Sequence, residues 1–319
     1  MTSSAAIVGA GAVGAWLADA LMCSGWRVSM VARGATLDVL RTSGLRVACN
    51  GRTRSSRPRA GSAAELGEHD FVILAVKAQV LPQLAPDLRP LMGPSTVVVS
   101  ATNGIPWWFF HDFGGALANR TLSSVDPQGS QNQVFAMQSI LGSVVHASMR
   151  AVSHATVQVA AADRLIVGAP SGQSSERLTS LVAGFREGGI NAQPSEHIRR
   201  DVWTKLWGNM TINPLSALTR RGTARLLEDA DICALCIRMM EEMQLCARRL
   251  GLDVEMTPAE RIAVAQRLGD FKTSMLADLE AGRALELDPQ LGAVVEIAGL
   301  LEIPTPCLRS VLSLTRLLA

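Results

Sequence analysis

The chain has 319 residues, of which 48% are hydrophobic and 18% are charged, and its formal net charge is +2. This length and composition predict a globular protein with two domains and exclude a low-complexity chain. A net charge so close to zero argues against nucleic acid or an acidic macromolecule as the partner.

The first predicted elements are a strand, a glycine-rich turn and a helix. The apolar run SAAIVG passes into GAGAVG, Gly9 to Gly14, and then into the helix-like AWLADALMCSG. This region lacks a basic leading segment and contains Asp19, so we expect neither a signal peptide nor a membrane span. Between a strand and a helix, a G-x-G-x-x-G motif predicts a dinucleotide site, whereas a tight turn without a ligand is the alternative.

Each glycine of the motif has a physical task in such a site. Gly9 allows the tight turn, Gly11 lets backbone approach a pyrophosphate, and Gly14 permits close packing of helix on strand. The helix N-terminus supplies N–H groups and a positive dipole end to the phosphates. The predicted cofactor-binding residues of the turn are Gly9, Ala10, Gly11, Ala12, Val13 and Gly14.

The second predicted strand, RVSMVAR at residues 27–33, bears on the choice of cofactor. An NAD site places an acid at the end of this strand for the ribose 2′-hydroxyl. Arg33 stands there instead, and arginine pairs with a 2′-phosphate. NADPH or NADP is therefore the predicted cofactor; a surface charge without a ligand is the alternative interpretation of Arg33.

Two further buried strands are predicted at residues 70–77 and 95–104, where the runs DFVILAVK and STVVVSATNG are typical of a parallel sheet. Ligands of open α/β sheets bind beyond the carboxyl ends of the strands. Lys77 and Asn103, which end these runs, are therefore predicted to face the cofactor. Residues 134–168 predict several short added strands, and one more helix and strand follow.

After residue 196 the pattern predicts only helices, at about 198–212, 214–219, 229–250, 258–281 and 289–301. The prediction is thus an α/β dinucleotide-binding domain, residues 1–195, and an all-helical domain, residues 196–319, with the substrate between them. The apolar helical half is compatible with a homodimer. Six cysteines without a recognisable secretory signal predict reduced thiols in a cytoplasmic protein, and Cys233 and Cys236 are interpreted as packing residues rather than metal ligands.

Lys205 is the basic residue whose type needs an explanation, because only three of the 30 Lys and Arg residues are lysines. Arginine is effectively always protonated, whereas the pKa of a lysine in a closed pocket can fall far enough to release a proton. Lys205, Asn209 and Asn213 recur every four residues and therefore lie on one helix face. Pro214 disfavours helical geometry at Asn213, so the helix is predicted to end there, with Asn213 capping a new helix.

The segment after residue 270 adds two polar residues whose spacing alone carries little functional signal. Ser274 is predicted inside a helix that stops near Gly282, and Glu286 on the connection that follows. Asp288 and Pro289 predict the N-cap and first position of the next helix.

Five segments together resemble the ketopantoate reductase family (2-dehydropantoate 2-reductase), in the same order and at similar separations: GAGAVG, VKAQ, ATNG, WTKLWGNMTINPLSALT and KTSMLADLEAGRALELD. The resemblance spans nearly the whole chain. It implies a Rossmann-type domain followed by a helical domain like the C-terminal domain of 6-phosphogluconate dehydrogenase. It also implies reduction of the 2-oxo acid 2-dehydropantoate (ketopantoate) to pantoate by NADPH, a step of coenzyme A biosynthesis.

The resemblance further implies roles for individual residues. Lys205 would be the general acid that protonates the carbonyl oxygen, and Glu286 would bind a substrate hydroxyl and tune Lys205. By the same resemblance, the substrate and its reacting oxygen would be bound or oriented by Asn103, Asn209 and Asn213. Ser274 would contact the substrate carboxylate region, and Lys77 would serve the nucleotide. The chemistry agrees, because an ammonium group both stabilises the negative charge that builds on a ketone oxygen and supplies its proton.

Two further features of the sequence bear on this interpretation, the first in its favour. The chain contains no tyrosine, which excludes the short-chain reductases that protonate with Tyr. The aromatic segment IPWWFFHDFGG departs from the family pattern after Asn103 and could form a lid, a pocket wall or a dimer surface. Two alternatives therefore stay open: a paralogue that reduces another 2-oxo acid with NADPH, and an NADP-binding sensor without catalysis.

Overall fold

The computed structural model describes residues 2–49, 51–252 and 254–318. The structure divides into two compact units. The sequence predicts a single domain boundary at residue 195, whereas the second, helical unit also includes Asn103–Pro127, a segment that precedes this boundary. Within the described ranges, no helix is both long enough and apolar enough to cross a membrane. The first unit comprises Met1–Thr102 and Gln128–Ile198, and the second comprises Asn103–Pro127 and Arg199–Ala319.

The first unit is built on a single sheet. The ten strands of this sheet are β1 (Ser4–Val8), β2 (Arg27–Val31), β3 (Leu45–Cys49), β4 (Arg52–Ser56), β5 (Arg59–Gly61), β6 (Phe71–Leu74), β7 (Val97–Ser100), β8 (Ile140–Ser153), β9 (Thr156–Gly168) and β10 (Ala192–Pro194). Its α-helices are α1 (Ala12–Cys23), α2 (Gly34–Thr42), α3 (Ala63–Leu66), α4 (Leu81–Leu84), α5 (Ser130–Val134) and α6 (Glu176–Glu187).

The strand order is β4-β3-β9-β8-β7-β6-β1-β2-β5, with β10 paired to β9. β1 pairs in parallel with β2 on one side and with β6 on the other. From β1 the chain adds β2, forms β3 and β4 at the far edge of the sheet beside β9, and returns to add β5 next to β2. It then crosses to the other side of β1 and builds outward through β6, β7 and β8. This reversal makes the carboxyl end of β1, beside β6, the topological switch point of a Rossmann-type sheet. The predicted fold class is confirmed.

The central strands are short and fully buried. Every residue of β6 and of β7 is buried, as expected of parallel strands with both faces covered. The predicted runs at 70–77 and 95–104 are longer than these strands because their last residues form the turns that leave the sheet. The short strands predicted over residues 134–168 are instead one long antiparallel hairpin, β8 with β9, whose register shifts at three places.

The second unit is helical. Its helices are α7 (Ile198–Thr219), α8 (Thr223–Leu227), α9 (Ala230–Leu250), α10 (Pro258–Arg267), α11 (Ser274–Glu280), α12 (Ala293–Leu300) and α13 (Pro306–Arg316), with a π-helical turn at Asp288–Gly292 before α12. The helix predicted at 258–281 is two helices, α10 and α11. The predicted cap at Asp288 is wrong, since Leu287 is the N-cap of the π-helical turn and Asp288 is its first residue.

The predicted end of a helix at Asn213 is also wrong, because α7 continues through Pro214 to Thr219. Proline in a helix interior removes one backbone hydrogen bond and costs about 3 kcal/mol. Residues 210–217 are all buried, so the packing of α7 outweighs this local cost. Asn213 is therefore a helical residue and caps nothing.

The aromatic segment that follows Asn103 lies in the core of the second unit. Trp107, Trp108, Phe109 and Phe110 are each at most 4% exposed. The ring of Phe109 lies 6.0 Å from that of Trp203 on α7, between ring centroids. These residues therefore form neither an exposed lid nor a dimer surface; they support the helix that carries Lys205.

Candidate active site

The glycine turn of the first unit has the shape that a dinucleotide site needs. Gly9 has φ +105°, and a Cβ atom on it would lie 2.7 Å from Val76 Cγ1. A Cβ atom on Gly14 would lie 2.0 Å from the carbonyl oxygen of Gly9. Both positions therefore exclude a side chain, the first for the turn and the second for the approach of α1 to β1.

Gly11 differs from these two glycines, since a Cβ atom there would meet nothing within 4 Å. Gly11 is the N-cap of α1, and no side chain caps the helix. The N–H groups of the first turn, which have no intrahelical acceptor, therefore have no side-chain cap at the positive end of the helix dipole. Together with Ala10 in the turn, this arrangement fits a pyrophosphate at the topological switch point.

Gly11→Ala is expected to weaken NADPH binding at least about tenfold, a loss of about 1.4 kcal/mol, without loss of thermal stability. The added methyl group has room in the folded protein but stands where backbone and phosphate would meet. Titration of NADPH and thermal unfolding measure the two effects. Gly299→Ala, within α12, is the control that should leave NADPH affinity unchanged. NADPH affinity unchanged by Gly11→Ala would contradict this use of the turn.

Two basic residues follow the strands that flank β1. Arg33 is exposed, comes two residues after the end of β2, and is the N-cap of α2. Lys77 is partly buried and comes three residues after the end of β6. Both positions are at carboxyl ends of strands, as the sequence predicted, so both cations belong to the edge of the sheet where the glycine turn lies.

In the second unit, three predicted site residues are joined by hydrogen bonds. Lys205 Nζ on α7 donates to Asn103 Oδ1 at 2.8 Å, and Asn103 Nδ2 donates to Glu286 Oε2 at 3.3 Å. An ammonium group can only donate and a carboxylate can only accept, so the two neighbours fix the orientation of the amide between them. Asn103 therefore links a cation to an anion and holds both in place.

The surroundings of Lys205 lower its pKa, so that the amine can transfer a proton near neutral pH. Burial lowers the pKa of Lys205 to about 8, and the charge of Glu286 opposes this by favouring the protonated form. Glu286 is itself only 8% exposed. At neutral pH the lysine is thus mainly protonated, yet it releases its proton far more readily than an ordinary lysine, as a general acid must.

The other predicted substrate residues do not join this hydrogen-bonded network. Asn209 lies one turn beyond Lys205 and is partly buried, and Asn213 is 7% exposed. Within the described part of the chain, no side-chain hydrogen bond is formed by either amide, so both keep their donors and acceptors for a ligand. Ser274 is helical, as predicted, but it is the exposed first residue of α11, after the N-cap Thr273, and not an interior residue of one long helix.

Comparison with known proteins shows what this chain is similar to. The sequence model of the family "Ketopantoate reductase PanE/ApbA" matches residues 5–107, and that of "Ketopantoate reductase PanE/ApbA C terminal" matches residues 197–319. The 2-dehydropantoate 2-reductase of Mesorhizobium japonicum is 40% identical over 315 residues, which is 98% of this chain and 97% of the relative.

Solved structures agree over the whole length. A structure assigned as ketopantoate reductase from Ralstonia solanacearum has a TM-score of 0.95 and 43% identity, and it covers 100% of this chain and 98% of its own. D-mandelate dehydrogenase, solved with NADH and anilino(oxo)acetate, has a TM-score of 0.84 over 99% of this chain and 98% of its own. At 20% identity, this second likeness is one of fold.

Proposed function

This chain belongs to the ketopantoate reductase family, and from that premise we propose that it reduces 2-dehydropantoate to pantoate, with Lys205 as the general acid. As a member of the family it is an oxidoreductase that acts on a CH–OH group. The single observation that carries the proposed role is the hydrogen-bonded group of Lys205, Asn103 and Glu286.

The chemistry of Lys205 follows from its position. NADPH, when bound, supplies the hydride that reduces the ketone. The ketone oxygen then gains negative charge, which the ammonium of Lys205 stabilises before it transfers its proton to that oxygen. Asn103 restricts the lysine to one position through the bond to its Nζ, and Glu286 keeps it protonated before the reaction. Asn209 and Asn213 offer amides to the substrate from the same helix.

The cofactor is a nicotinamide dinucleotide, which the first unit would hold through residues 9–14 and Lys77. We further propose that it is NADPH, because the residue that follows β2 is the cation Arg33 and not an acid.

Arg33→Ala is expected to weaken NADPH binding about 10- to 100-fold, since a charge-assisted hydrogen bond contributes about 1.5–3 kcal/mol. Binding of NADH, which lacks the 2′-phosphate, should change little. Arg27→Ala is the matched control, because Arg27 is an exposed arginine at the opposite end of the same strand. Equal losses for NADPH and NADH would argue against a contact between Arg33 and the 2′-phosphate.

The proposed reaction is tested by assaying the purified chain with NADPH against 2-dehydropantoate and a panel of other 2-oxo acids. We expect 2-dehydropantoate to have the highest kcat/KM. A different preferred oxo acid would identify a paralogue with the same chemistry. Tight NADPH binding without turnover of any oxo acid would instead identify a sensor and refute the proposal.

The proposed partners are the 2-oxo acid, the cofactor and a second copy of the chain, in the cytoplasm. Leu314 on α13 and Leu317, the C-cap of that helix, are 54% and 82% exposed, and a homodimer would give such side chains an apolar neighbour. Light scattering of the purified protein distinguishes the dimer from a monomer.

A further inference from the structure

Arg261 on α10 lies directly against the helix that carries the general acid. A Cβ atom on Gly208, within α7, would lie 2.0 Å from Nη2 and 2.7 Å from Cζ of Arg261. Glycine inside a helix costs about 1 kcal/mol relative to alanine, so its presence there calls for a reason. The guanidinium group explains the glycine, because it occupies the space that any side chain at residue 208 would fill.

This guanidinium is partly buried, and among the residues that the structure describes no acid balances its charge. Arg261 Nη1 is inaccessible to solvent and has no hydrogen-bond partner within the described residues. Arg261 also forms no ion pair with the acids that the structure describes, and burial lowers its pKa with no opposing charge. A buried cation is costly unless an anion accompanies it, and the planar guanidinium group is well suited to bind a carboxylate through two hydrogen bonds.

The position on α7 relates this cation to the reacting group. Residue 208 is three residues after Lys205, so it lies within one turn and about 60° around the helix axis. Asn209 lies at about 40° on the other side. Around the axis of α7, Lys205 therefore lies between Gly208, against which the guanidinium packs, and Asn209. A 2-oxo acid has its carboxylate on the carbon next to the ketone, so a ketone held at Lys205 carries an anion close beside it.

We propose that Arg261 is a specificity-determining residue that binds the substrate carboxylate, and that Gly208 provides the space for it. The inference rests on the proposed function, since it assigns the anionic end of the same 2-oxo acid. It restricts the substrates to ketones that carry a carboxylate on the neighbouring carbon. Arg261 holds no proton for the reaction and acts on binding.

Two variants test this proposal from opposite directions. Arg261→Met removes the charge and is expected to raise KM for 2-dehydropantoate about 10- to 100-fold, with kcat changed by only a few-fold. Gly208→Ala keeps the charge but displaces the flexible end of Arg261, so it should also raise KM while the helix gains stability from alanine. KM for NADPH and turnover of the uncharged methyl ester of the same oxo acid should stay unchanged in both.

Arg267→Met is the matched control, since Arg267 is an exposed arginine in the last turn of α10. Thermal unfolding shows whether each variant is folded. If wild-type protein turns over 2-oxo acids and both variants keep its KM, the role of Arg261 is refuted while the proposed function stands. A rise in KM for NADPH alone would also refute it. Wild-type protein inactive on every 2-oxo acid would overturn both proposals.

Discussion

Lys205→Ala is expected to lower kcat for the reduction of 2-dehydropantoate by about 10²- to 10⁴-fold, the usual contribution of a positioned general acid. The variant lacks both the proton and the positive charge that stabilises the developing oxyanion. NADPH binding should persist, because the proposed nucleotide residues are in the other unit of the chain. Stopped-flow oxidation of NADPH measures the first effect, and direct titration of NADPH measures the second.

Lys272→Ala is the control, since Lys272 is an exposed lysine paired with Glu280. The pH profile adds an independent test. Reduction needs the protonated amine, and the pKa of Lys205 is lowered to about 8, so kcat/KM should fall as the pH rises through about 8. The Lys205→Ala variant should lack this decline. Near wild-type turnover of Lys205→Ala, or a decline that it retains, would exclude the lysine as the acid.

Asn103→Ala is expected to lower kcat about 10- to 100-fold, the second largest effect. The amide accepts from Lys205 Nζ at 2.8 Å and donates to Glu286 at 3.3 Å, so its removal leaves both charges without the group that orients them. Misplacing a reacting group by about 1 Å can cost about 10²-fold. Asn103→Ala should lower kcat more than it changes KM for NADPH. Single-turnover and steady-state kinetics measure these two quantities.

Two further variants separate placement from charge. Asn191→Ala removes an exposed amide that donates to the carbonyl oxygen of Asp163 and accepts from Gln193 Nε2, and it should leave kcat unchanged. Glu286→Gln keeps an acceptor for Asn103 but removes the charge that favours protonated Lys205. The decline of kcat/KM should then move to lower pH. A wild-type kcat in Asn103→Ala, or a shift to higher pH in Glu286→Gln, would contradict this account of the network.

Local patterns were sufficient for much of the first unit. The glycine motif could be interpreted from sequence because a tight turn, an open helix N-terminus and a close helix–strand contact each depend on residues next to one another. The buried strands were found for the same reason, since continuous apolar runs mark parallel strands wherever they pair. Their ends were less accurate, because Ala75 and Val76 continue the apolar run beyond the end of β6, and no change of pattern marks the end of β7 at Ser100.

For α7, the sequence predicted which residues lie on one side of the helix but not where the helix ends. The helical period alone places Asn209 on the same side as Lys205, and this holds whatever surrounds the helix. The end of the helix was not predictable, because Pro214 carries a local cost that only the burial of its neighbours outweighs. The break between α10 and α11, which makes Ser274 the first residue of a helix, was missed for a related reason: it depends on the cap at Thr273, which a continuous helical pattern conceals.

By itself, the sequence determined the Rossmann-type half, the helical half, the family and the lysine that stands out among arginines. Only the tertiary structure joined Lys205, Asn103 and Glu286 in one hydrogen-bonded group. Asn103 is 102 residues from Lys205 and 183 residues from Glu286 along the chain. Only the tertiary structure laid Arg261 against Gly208. The physical reason is that periodicity reports which residues share a face, whereas contacts between distant segments, and the pKa values that depend on them, arise from packing alone.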